Sequence, residues 1–520
     1  MIILFLSACD PTDDRFPGGC DEEFAYYVDG DGDGYGAPEE LWACEVPADA
    51  VDNGEDCDDD DDAVSPDARD ICDGVDDDCS GSEDGCLPSG TWVLGAQTLR
   101  LRGGETSEDF GYSLAAPDLD GDGVPELVVG DPQQQVGGPG VHEGAIWVFP
   151  GGVTEDAAAE EDAIRLLGPN QSSYAGESLA WGDLDGDGDD ELAVGAPFDN
   201  PGLGPYLGAV FIIDGMPTED ADLDEVDGHY LWGLEDAEAG AAVAFPGDFN
   251  GDGYAELFVG APDLENGKGG AFLVMGPITG DTKIAWSNSQ VFHGNKGGDA
   301  GQSVDGAGDL NGDGLMDVIV GSPNGWDYKG AAYVVHGPTS SHHLPTEGIR
   351  LEGIAVQGKA GWSVAGLGDV NGDGKDDVAV GSPLQGEDDT GRVFIVHGPL
   401  TSSMELQNSD ATLSGVQAGS MLGQNLTAAG DIDGDGLGEV LVGAPGDDHD
   451  TGEDAGAVYL FYAPFEGALN VNDSPAWWIG EGAGHAVSPV VVAGDQDGDG
   501  APELFMGAPE GQTAYLFSDW

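Results

Sequence analysis

The sequence predicts an all-β protein, a seven-bladed β-propeller with four-stranded blades, preceded by a small disulfide-rich loop module. One segment, DLDGDGVPELVVGDP at residues 118–132, returns six times, starting at residues 183, 248, 309, 369, 431 and 495. Successive starts lie 60 to 65 residues apart. Repetition at this period is typical of propellers and solenoids, in which each repeat is one structural unit.

Each repeat contains four short apolar runs, which is the strand content of one propeller blade. In the first repeat these runs are GYSLAAP, LVVG, GAIWVFP and IRLLG. The second run is closed by Gly and Pro, as expected of a short buried strand. The last repeat ends after its third run, whereas TLRLRGG precedes the first repeat. We therefore expect residues 98–103 to complete the last blade beside 513–518, which would remove an open sheet edge.

The acidic part of each copy has the pattern of a loop that wraps a hard cation. Loop positions 1, 3 and 5 are always Asp or Asn, position 9 is Asp or Glu, and positions 4 and 6 are Gly. Position 7 varies, which suits a ligand that is a backbone carbonyl. Calcium accepts such mixed oxygen ligands, and glycine permits the sharp path around the ion. The loop is not an EF-hand, because Val or Met stands at position 12, where an EF-hand needs Glu.

The sequence therefore predicts about seven Ca²⁺ ions in the propeller. The expected ligands, at positions 1, 3, 5, 7 and 9 of each loop, are Asp118, Asp120, Asp122, Val124, Glu126; Asp183, Asp185, Asp187, Asp189, Glu191; Asp248, Asn250, Asp252, Tyr254, Glu256; Asp309, Asn311, Asp313, Leu315, Asp317; Asp369, Asn371, Asp373, Lys375, Asp377; Asp431, Asp433, Asp435, Leu437, Glu439; and Asp495, Asp497, Asp499, Ala501, Glu503.

The charge of the chain limits its partners and suggests a mechanism. There are 102 Asp and Glu against 13 Lys and Arg, a formal charge of −89. That charge excludes nucleic acid and anionic surfaces as partners. The acidic loops repel themselves without an ion, so we expect calcium binding and rigid folding to be linked.

The N-terminal residues MIILFLSACD resemble the end of a bacterial lipoprotein signal, with Cys9 as the lipidated residue. The resemblance implies a signal peptide at 1–8, a tether at 9–19 and an exported, lipid-anchored protein of the bacterial cell envelope, on the outer membrane or cell surface. A separate module then occupies 20–87, and the propeller 88–520. Six cysteines fall in this module and predict three disulfides, in any of 15 connectivities: Cys20, Cys44, Cys57, Cys72, Cys79 and Cys86. The alternative is a thiolate metal site, which the spacing of Cys72 and Cys79 disfavours.

The repeats resemble the FG-GAP repeats of the integrin α-chain β-propeller. The Phe-Gly half is Phe110-Gly111 in the first copy, and its degenerate forms begin at Ala175, Ala239, Ala300, Ala360, Leu422 and Ala483. The Gly-Ala-Pro half stands at 195–197, 260–262, 443–445 and 507–509, with Gly-Ser-Pro at 321–323 and 381–383 and Gly-Asp-Pro at 130–132. The resemblance implies calcium in these loops and a ligand on the opposite face. Integrin chains carry the loop in only some blades, whereas all seven blades carry it here.

The front module is similar to the MopE-like Asp/Cys-rich metal-binding motif of bacterial surface proteins, on the stretches YYVDGDGDGYG and DCDDDDDAVSPDARDICDGVDDDCSG. Asp29, Asp31 and Asp33 also match EF-hand spacing. The resemblance implies one or more Ca²⁺ ions in this module. The alternative is an acidic spacer held together by disulfides.

Three classes of function remain open. A carboxylate hydrolase or lyase is disfavoured, because seven equivalent copies single out no catalytic site; His336 and His397 hold equivalent places in adjacent blades. A binding protein is preferred, mediating calcium-dependent adhesion to a protein or glycan ligand. The candidate anchors are aromatic residues of the variable loops: Phe198, Tyr206, Trp326 and Tyr328. The third class is a passive calcium-rich envelope scaffold.

Overall fold

The computed structural model divides into two compact units, one up to residue 89 and one spanning Gly90–Asp519. The residues it describes are 24–28, 35, 41–43, 50–51, 53, 57, 79, 90–95, 98–104, 106–136, 138, 140–200, 206–284, 289–339, 342–448, 451–497 and 501–518. Several residues singled out by the sequence lie outside this part: Cys9, Cys20, Asp29, Asp31, Asp33, Cys44, Cys72, Cys86 and Asp499.

The first unit contains a small antiparallel sheet and a disulfide. Strand Phe24–Val28 pairs on one side with Leu41–Ala43 and on the other with Ala50–Val51. A disulfide joins Cys57 and Cys79, with 5.6 Å between their Cα atoms. One pairing among the predicted cysteines is therefore established.

The second unit is the predicted seven-bladed propeller. The first, innermost strands of the blades are Leu114–Ala115, Ser178–Gly182, Ala242–Gly247, Val304–Gly308, Val364–Gly368, Asn425–Gly430 and Val490–Val492. The second strands are Leu127–Asp131, Glu191–Ala196, Glu256–Gly260, Asp317–Ser322, Asp377–Ser382, Glu439–Ala444 and Leu504–Ala508. The third strands are Ala145–Phe149, Ala209–Asp214, Gly270–Val274, Ala331–Val335, Arg392–Val396, Ala457–Phe461 and Thr513–Phe517. The fourth strands are Ile164–Leu167, Gly228–Trp232, Ser289–His293, Ile349–Glu352, Ala411–Ser414, Ala476–Ile479 and Leu99–Arg102.

Each four-stranded blade is extended by a short fifth strand, which the sequence did not predict. These strands are Ala221–Asp222, Thr282–Lys283, His342–His343, Met404–Glu405, Gly467–Asn470, Gly90–Val93 and Ala157–Ala158. In blades 1 to 5 the fifth strand comes from the next blade and runs parallel to the fourth strand, as in the pairing of Leu166 with Ala221. The added strand covers the outer edge of each sheet, where unpaired backbone groups would otherwise be exposed.

Short helical turns lie in several of the connections between strands. The α-helical turns are Ala159–Asp162, Leu264–Gly267, Gly325–Tyr328 and Leu344–Glu347, and the 3₁₀ turns are Leu406–Asn408, Val471–Asp473 and Pro509–Gly511.

The hydrophobic core lies between adjacent blades. The second and third strands read as continuous apolar runs because both of their faces are covered by neighbouring sheets. Strand Ala145–Phe149, for example, is buried at every position. Leu192 of blade 2 packs in one cluster with Val128 and Ile146 of blade 1.

The predicted closure of the ring is confirmed. Strand Leu99–Arg102 pairs antiparallel with Thr513–Phe517, with Leu101 opposite Ala514. The preceding strand, Gly90–Val93, also pairs in parallel with the fourth strand of blade 6. Trp92 on this strand stacks on Trp478 at 5.4 Å between ring centroids. The first two strands of this unit therefore complete two different blades, blade 6 and blade 7.

The Phe-Gly position of blade 7 differs from the prediction. In blade 1 Gly144 forms a bridge to Ala175, and the equivalent bridge in blade 6 joins Gly456 to Val487. The amide of Ser488 donates to the carbonyl of Gly507 at 3.3 Å, as Gly176 does in its own blade. The motif therefore lies at 487–488 and not at 483–484, because backbone pairing, rather than the glycine itself, fixes the register.

Candidate metal centres: seven carboxylate loops

All seven acidic loops connect the first strand of a blade to its second strand. In blade 1, for example, residues 118–126 follow Leu114–Ala115 and precede Leu127–Asp131. The loops therefore lie at one end of the first strands, on one face of the propeller.

In the first six loops the glycines at positions 4 and 6 have the conformation that the sequence predicted. Gly121 and Gly123 have φ values of 70° and 90°, and Gly372 and Gly374 have values of 76° and 79°. Residues with a Cβ rarely adopt this left-handed conformation. It turns the backbone so that polar groups point into the loop.

The carboxylate at position 9 is buried and held by the amide of position 2 in every loop. The donor–acceptor pairs are Leu119–Glu126 at 2.8 Å, Leu184–Glu191 at 2.7 Å, Phe249–Glu256 at 2.7 Å, Leu310–Asp317 at 3.1 Å, Val370–Asp377 at 3.0 Å, Ile432–Glu439 at 2.9 Å and Gln496–Glu503. The residue at position 2 thus fixes one carboxylate oxygen.

The carboxylates at positions 1 and 5 shape the turn itself. Asp118 accepts from the amides of Asp122 at 3.1 Å and Gly123 at 2.9 Å. Asp122 accepts from Val124 at 2.9 Å. These bonds orient the carboxylates of positions 1 and 5 without the help of an ion.

Five loops bring three carboxylate oxygens within 4.8 Å of one another. The groups are Asp118, Asp120 and Asp122; Asp183, Asp185 and Glu191; Asp248, Asp252 and Glu256; Asp431, Asp433 and Glu439; and Asp495, Asp497 and Glu503. Such convergence of negative charge is unfavourable without a proton or a cation.

The pKa values of five of the position-9 carboxyls are raised, chiefly by burial. Burial, followed by the charges of nearby aspartates, raises the pKa of Glu126, Glu191, Glu256 and Glu439 to about 7. Burial also raises the pKa of Asp377 to about 6. A divalent cation at the loop centre would favour the ionised carboxylates.

The loops of blades 3, 4 and 5 have Asn at position 3, and in each of them the side-chain amide donates to the position-9 carboxylate. The side-chain amide of Asn371 donates to Asp377 at 3.0 Å.

In blade 4, His336 lies with Nδ1 2.6 Å from Asp317 and Nε2 2.7 Å from the carbonyl of Leu400. Both partners are acceptors, so a ring that donates to both carries a positive charge. The sequence shows that His336 and His397 hold equivalent positions in their repeats, but it did not predict the contact between His336 and Asp317.

Neighbouring loops also contact each other, which the sequence did not predict. The amide of Asp118 donates to Asp190 of the next loop at 3.2 Å, and Asp309 donates to Asp376 at 2.6 Å. Position 8 of one loop therefore supports position 1 of the preceding loop. The variability of this position hides the contact, because Asp stands there in only some blades.

The four predicted ligand-face aromatics fall into two groups. Phe198 packs edge-on against Tyr206, with ring centroids 5.4 Å apart, and Tyr206 is 51% exposed. Tyr328 is 60% exposed. Trp326, in contrast, donates to the hydroxyl of Tyr333 at 2.7 Å, and Arg350 stacks over its ring. Trp326 thus has a packing role.

Comparison with known proteins supports the propeller type. A family model described as FG-GAP repeat matches residues 110–149, 175–213, 239–275, 300–335, 360–396 and 423–461. These segments fall in the first six blades. Within the described residues, no helix combines the length and apolar character needed to cross a membrane.

Curated relatives match parts of the chain. Integrin alpha-PS2 of Drosophila melanogaster is 31% identical over 245 residues, 44% of this chain and 16% of that protein. Integrin alpha pat-2 of Caenorhabditis briggsae is 27% identical over 305 residues, 54% of this chain and 23% of that protein. Integrin alpha-3 of Cricetulus griseus is 30% identical over 218 residues, 40% and 19% respectively. The chain spans less than a quarter of the length of these relatives. Six segments of the propeller are thus similar to FG-GAP repeats, and the propeller is similar to part of the integrin alpha chains.

Proposed function

We propose that this protein is a calcium-binding cell-surface lipoprotein whose propeller binds a protein or glycan ligand and mediates calcium-dependent adhesion. The observation that carries the proposal is the position-9 carboxylate, which is buried and anchored by a backbone amide in all seven loops. The integrin-alpha-like fold supports a binding role rather than catalysis.

The donor set fits calcium. Each loop offers hard oxygen ligands from three or four carboxylates, with an asparagine in three of the blades. Side chains at positions 1, 3, 5 and 9, with the carbonyl at position 7, would hold the ion. A bound calcium supplies the positive charge that this cluster lacks. The chain's own part is to bury position 9, orient positions 1 and 5 and keep the loop in its turn.

Contacts between loops link the loop of blade 1 to that of blade 2 and the loop of blade 4 to that of blade 5. Because Asp190 accepts from Asp118, and Asp376 from Asp309, an ion that orders one loop also supports its neighbour. We therefore expect calcium to convert the propeller into a more rigid state whose opposite face can hold a ligand.

The test is thermal unfolding of the full chain in EDTA and in stepped calcium, with calorimetry to count bound ions. We expect a large rise in Tm and about seven ions in the propeller, beside those of the N-terminal module. Asp313→Ala and Asp373→Ala should each weaken calcium binding. Glu219→Ala, an exposed acidic residue outside the loops, is the matched control. If the two loop variants bind calcium as the control does, the assignment fails.

Attachment to the membrane and adhesion need separate tests. Labelling with a fatty-acid analogue should mark the wild type and not Cys9→Ser. Calcium-loaded protein should bind to cells or extracted surface glycans, and EDTA should release it. A protein that binds calcium but no surface component would instead be the passive scaffold.

A further inference from the structure

A cavity of about 550 Å³ opens at the centre of the propeller, lined by residues from all seven blades. Its walls are the beginnings of the first strands, whereas the carboxylate loops follow the ends of those strands. The cavity therefore opens on the face opposite the loops. Its volume falls within the range of small-molecule sites, roughly 300–1,000 Å³.

Two aromatic rings stand in this cavity. Tyr112 from blade 1 is 43% exposed, and Trp362 from blade 5 is 38% exposed. Blades 1 and 5 have the greatest separation possible in a ring of seven, so the two rings approach the cavity from opposite sides. Exposed aromatic residues of this size inside a recess suit a ligand with an apolar face.

The polar groups between these rings are mainly neutral amides. Gln302 and Gln424 line the cavity, and their side chains make no hydrogen bond with the described part of the chain. The serines at the same level already have hydrogen-bond partners. Ser113 donates to the carbonyl of Gly176 in the next blade at 2.7 Å, and three further serines donate to a carbonyl of the next blade in the same way. The two glutamines therefore remain available to a ligand.

The charge of the cavity selects against anions. Its lining residues, all of them described, include Asp109, Glu177 and Glu510 and no basic side chain. Glu177 accepts from the Tyr112 hydroxyl at 3.1 Å, and burial raises its pKa to about 7. Gln133 donates to Asp109. The charged groups of the cavity are thus all acidic, and its neutral polar groups, such as Gln302 and Gln424, offer both donors and acceptors.

We propose that this cavity binds a neutral saccharide, with Tyr112 and Trp362 against the sugar faces and Gln302 and Gln424 hydrogen-bonded to hydroxyl groups. A hydroxyl both donates and accepts, and a glutamine amide offers both roles. The inference rests on the proposed function, because it names the ligand class of the face opposite the calcium loops.

The experiment uses the full chain in calcium and saturation-transfer NMR, followed by calorimetry. The probes are maltose, cellobiose, lactose and N,N′-diacetylchitobiose, with digalacturonic acid as an anionic probe and spermidine as a cationic probe. We expect at least one neutral disaccharide to bind and digalacturonic acid not to bind. Trp362→Ala should raise the Kd at least about tenfold, as the loss of an aromatic anchor does.

Two further variants keep the test decisive. Gln424→Leu preserves side-chain size and should also weaken binding if Trp362→Ala does not fold. Val356→Ala shortens an exposed apolar side chain that does not line the cavity, so its affinity should equal that of the wild type. Absence of binding by every neutral probe, binding of spermidine alone, or unchanged affinity in Trp362→Ala and Gln424→Leu would overturn the proposal. Calcium-dependent stability is measured independently, so its presence without sugar binding would refute only the saccharide site.

Discussion

The amide nitrogen of Leu119 donates to Oε2 of Glu126 at 2.8 Å, and the same bond recurs in all seven loops. Position 2 is apolar in six of the seven loops and Gln496 in the last. The apolar residue at position 2 thus attaches the loop to the blade, and its backbone amide also holds the carboxylate at position 9. The candidate metal centre and the packing of the blade are therefore parts of one local structure.

The loop glycines should be intolerant of a Cβ even where space is free. Gly374 has a φ of +79°, and no atom lies within 4 Å of the place that a Cβ would occupy. Gly374→Ala therefore isolates backbone strain, and we expect a loss of roughly 1–2 kcal/mol in the free energy of unfolding. Urea unfolding of the full chain would measure it.

The matched control is Gly280→Ala. A Cβ at Gly280 would also meet no atom within 4 Å, and the φ of this residue is not in the left-handed region. Its stability should change by no more than about 0.5 kcal/mol. Equal effects of the two substitutions would show that the loop does not depend on its left-handed turn.

Adding a carboxylate to the loop of blade 5 should have opposite effects with and without calcium. Asn371→Asp replaces an amide that donates to Asp377 with a fourth carboxylate at a ligand position of this loop. We expect tighter calcium binding, because affinity rises with ligand charge, and a stability loss on the order of 1 kcal/mol in EDTA. Calorimetry and thermal unfolding in both conditions would measure the two effects. A variant that is destabilised equally in calcium and in EDTA would argue against an ion at this loop.

Repetition made most of the fold predictable. Seven copies of one segment in phase indicated the blades, the strand order and the ends of the ring, because each copy must bury the same faces. The strands Leu99–Arg102 and Thr513–Phe517 pair as TLRLRGG and TAYLFSDW implied.

What the sequence did not predict depends on contacts between repeats. The fifth strand has only two residues in most blades, too short for a periodic pattern. The bond of His336 to Asp317 joins residues 19 positions apart and has no pattern of its own. The central cavity combines residues from every blade, and the residues that distinguish it, such as Tyr112, Glu177 and Trp362, stand at one position that varies between copies.

The strand that closes the ring should contribute strongly to stability. Leu101 is fully buried and packs in one cluster with Phe505 and Leu516 of blade 7. Leu101→Ala should therefore cost about 2–5 kcal/mol by leaving a cavity. Arg102→Ala is the control, because Arg102 lies on the same strand and is exposed. Equilibrium unfolding followed by tryptophan fluorescence would compare them; similar stabilities would mean that the ring does not rely on this strand.

Glu177 should make stability fall as pH rises. Burial, with the charges of Asp109 and Glu238 adding to it, raises the pKa of Glu177 from 4.5 in its unperturbed state to about 7 in the folded protein. Between these values the folded state holds a proton that the unfolded state has released, so each rise in pH through this window removes stability, and above it the loss is complete. Glu177→Gln stays neutral at every pH. At a fixed calcium concentration, its Tm should therefore fall less than that of the wild type between pH 5 and pH 8.

The control is Glu510→Gln, which replaces an exposed carboxyl at the same cavity and should follow the wild-type profile. If Glu177→Gln also follows it, the carboxyl of Glu177 is already ionised in the folded protein at pH 5.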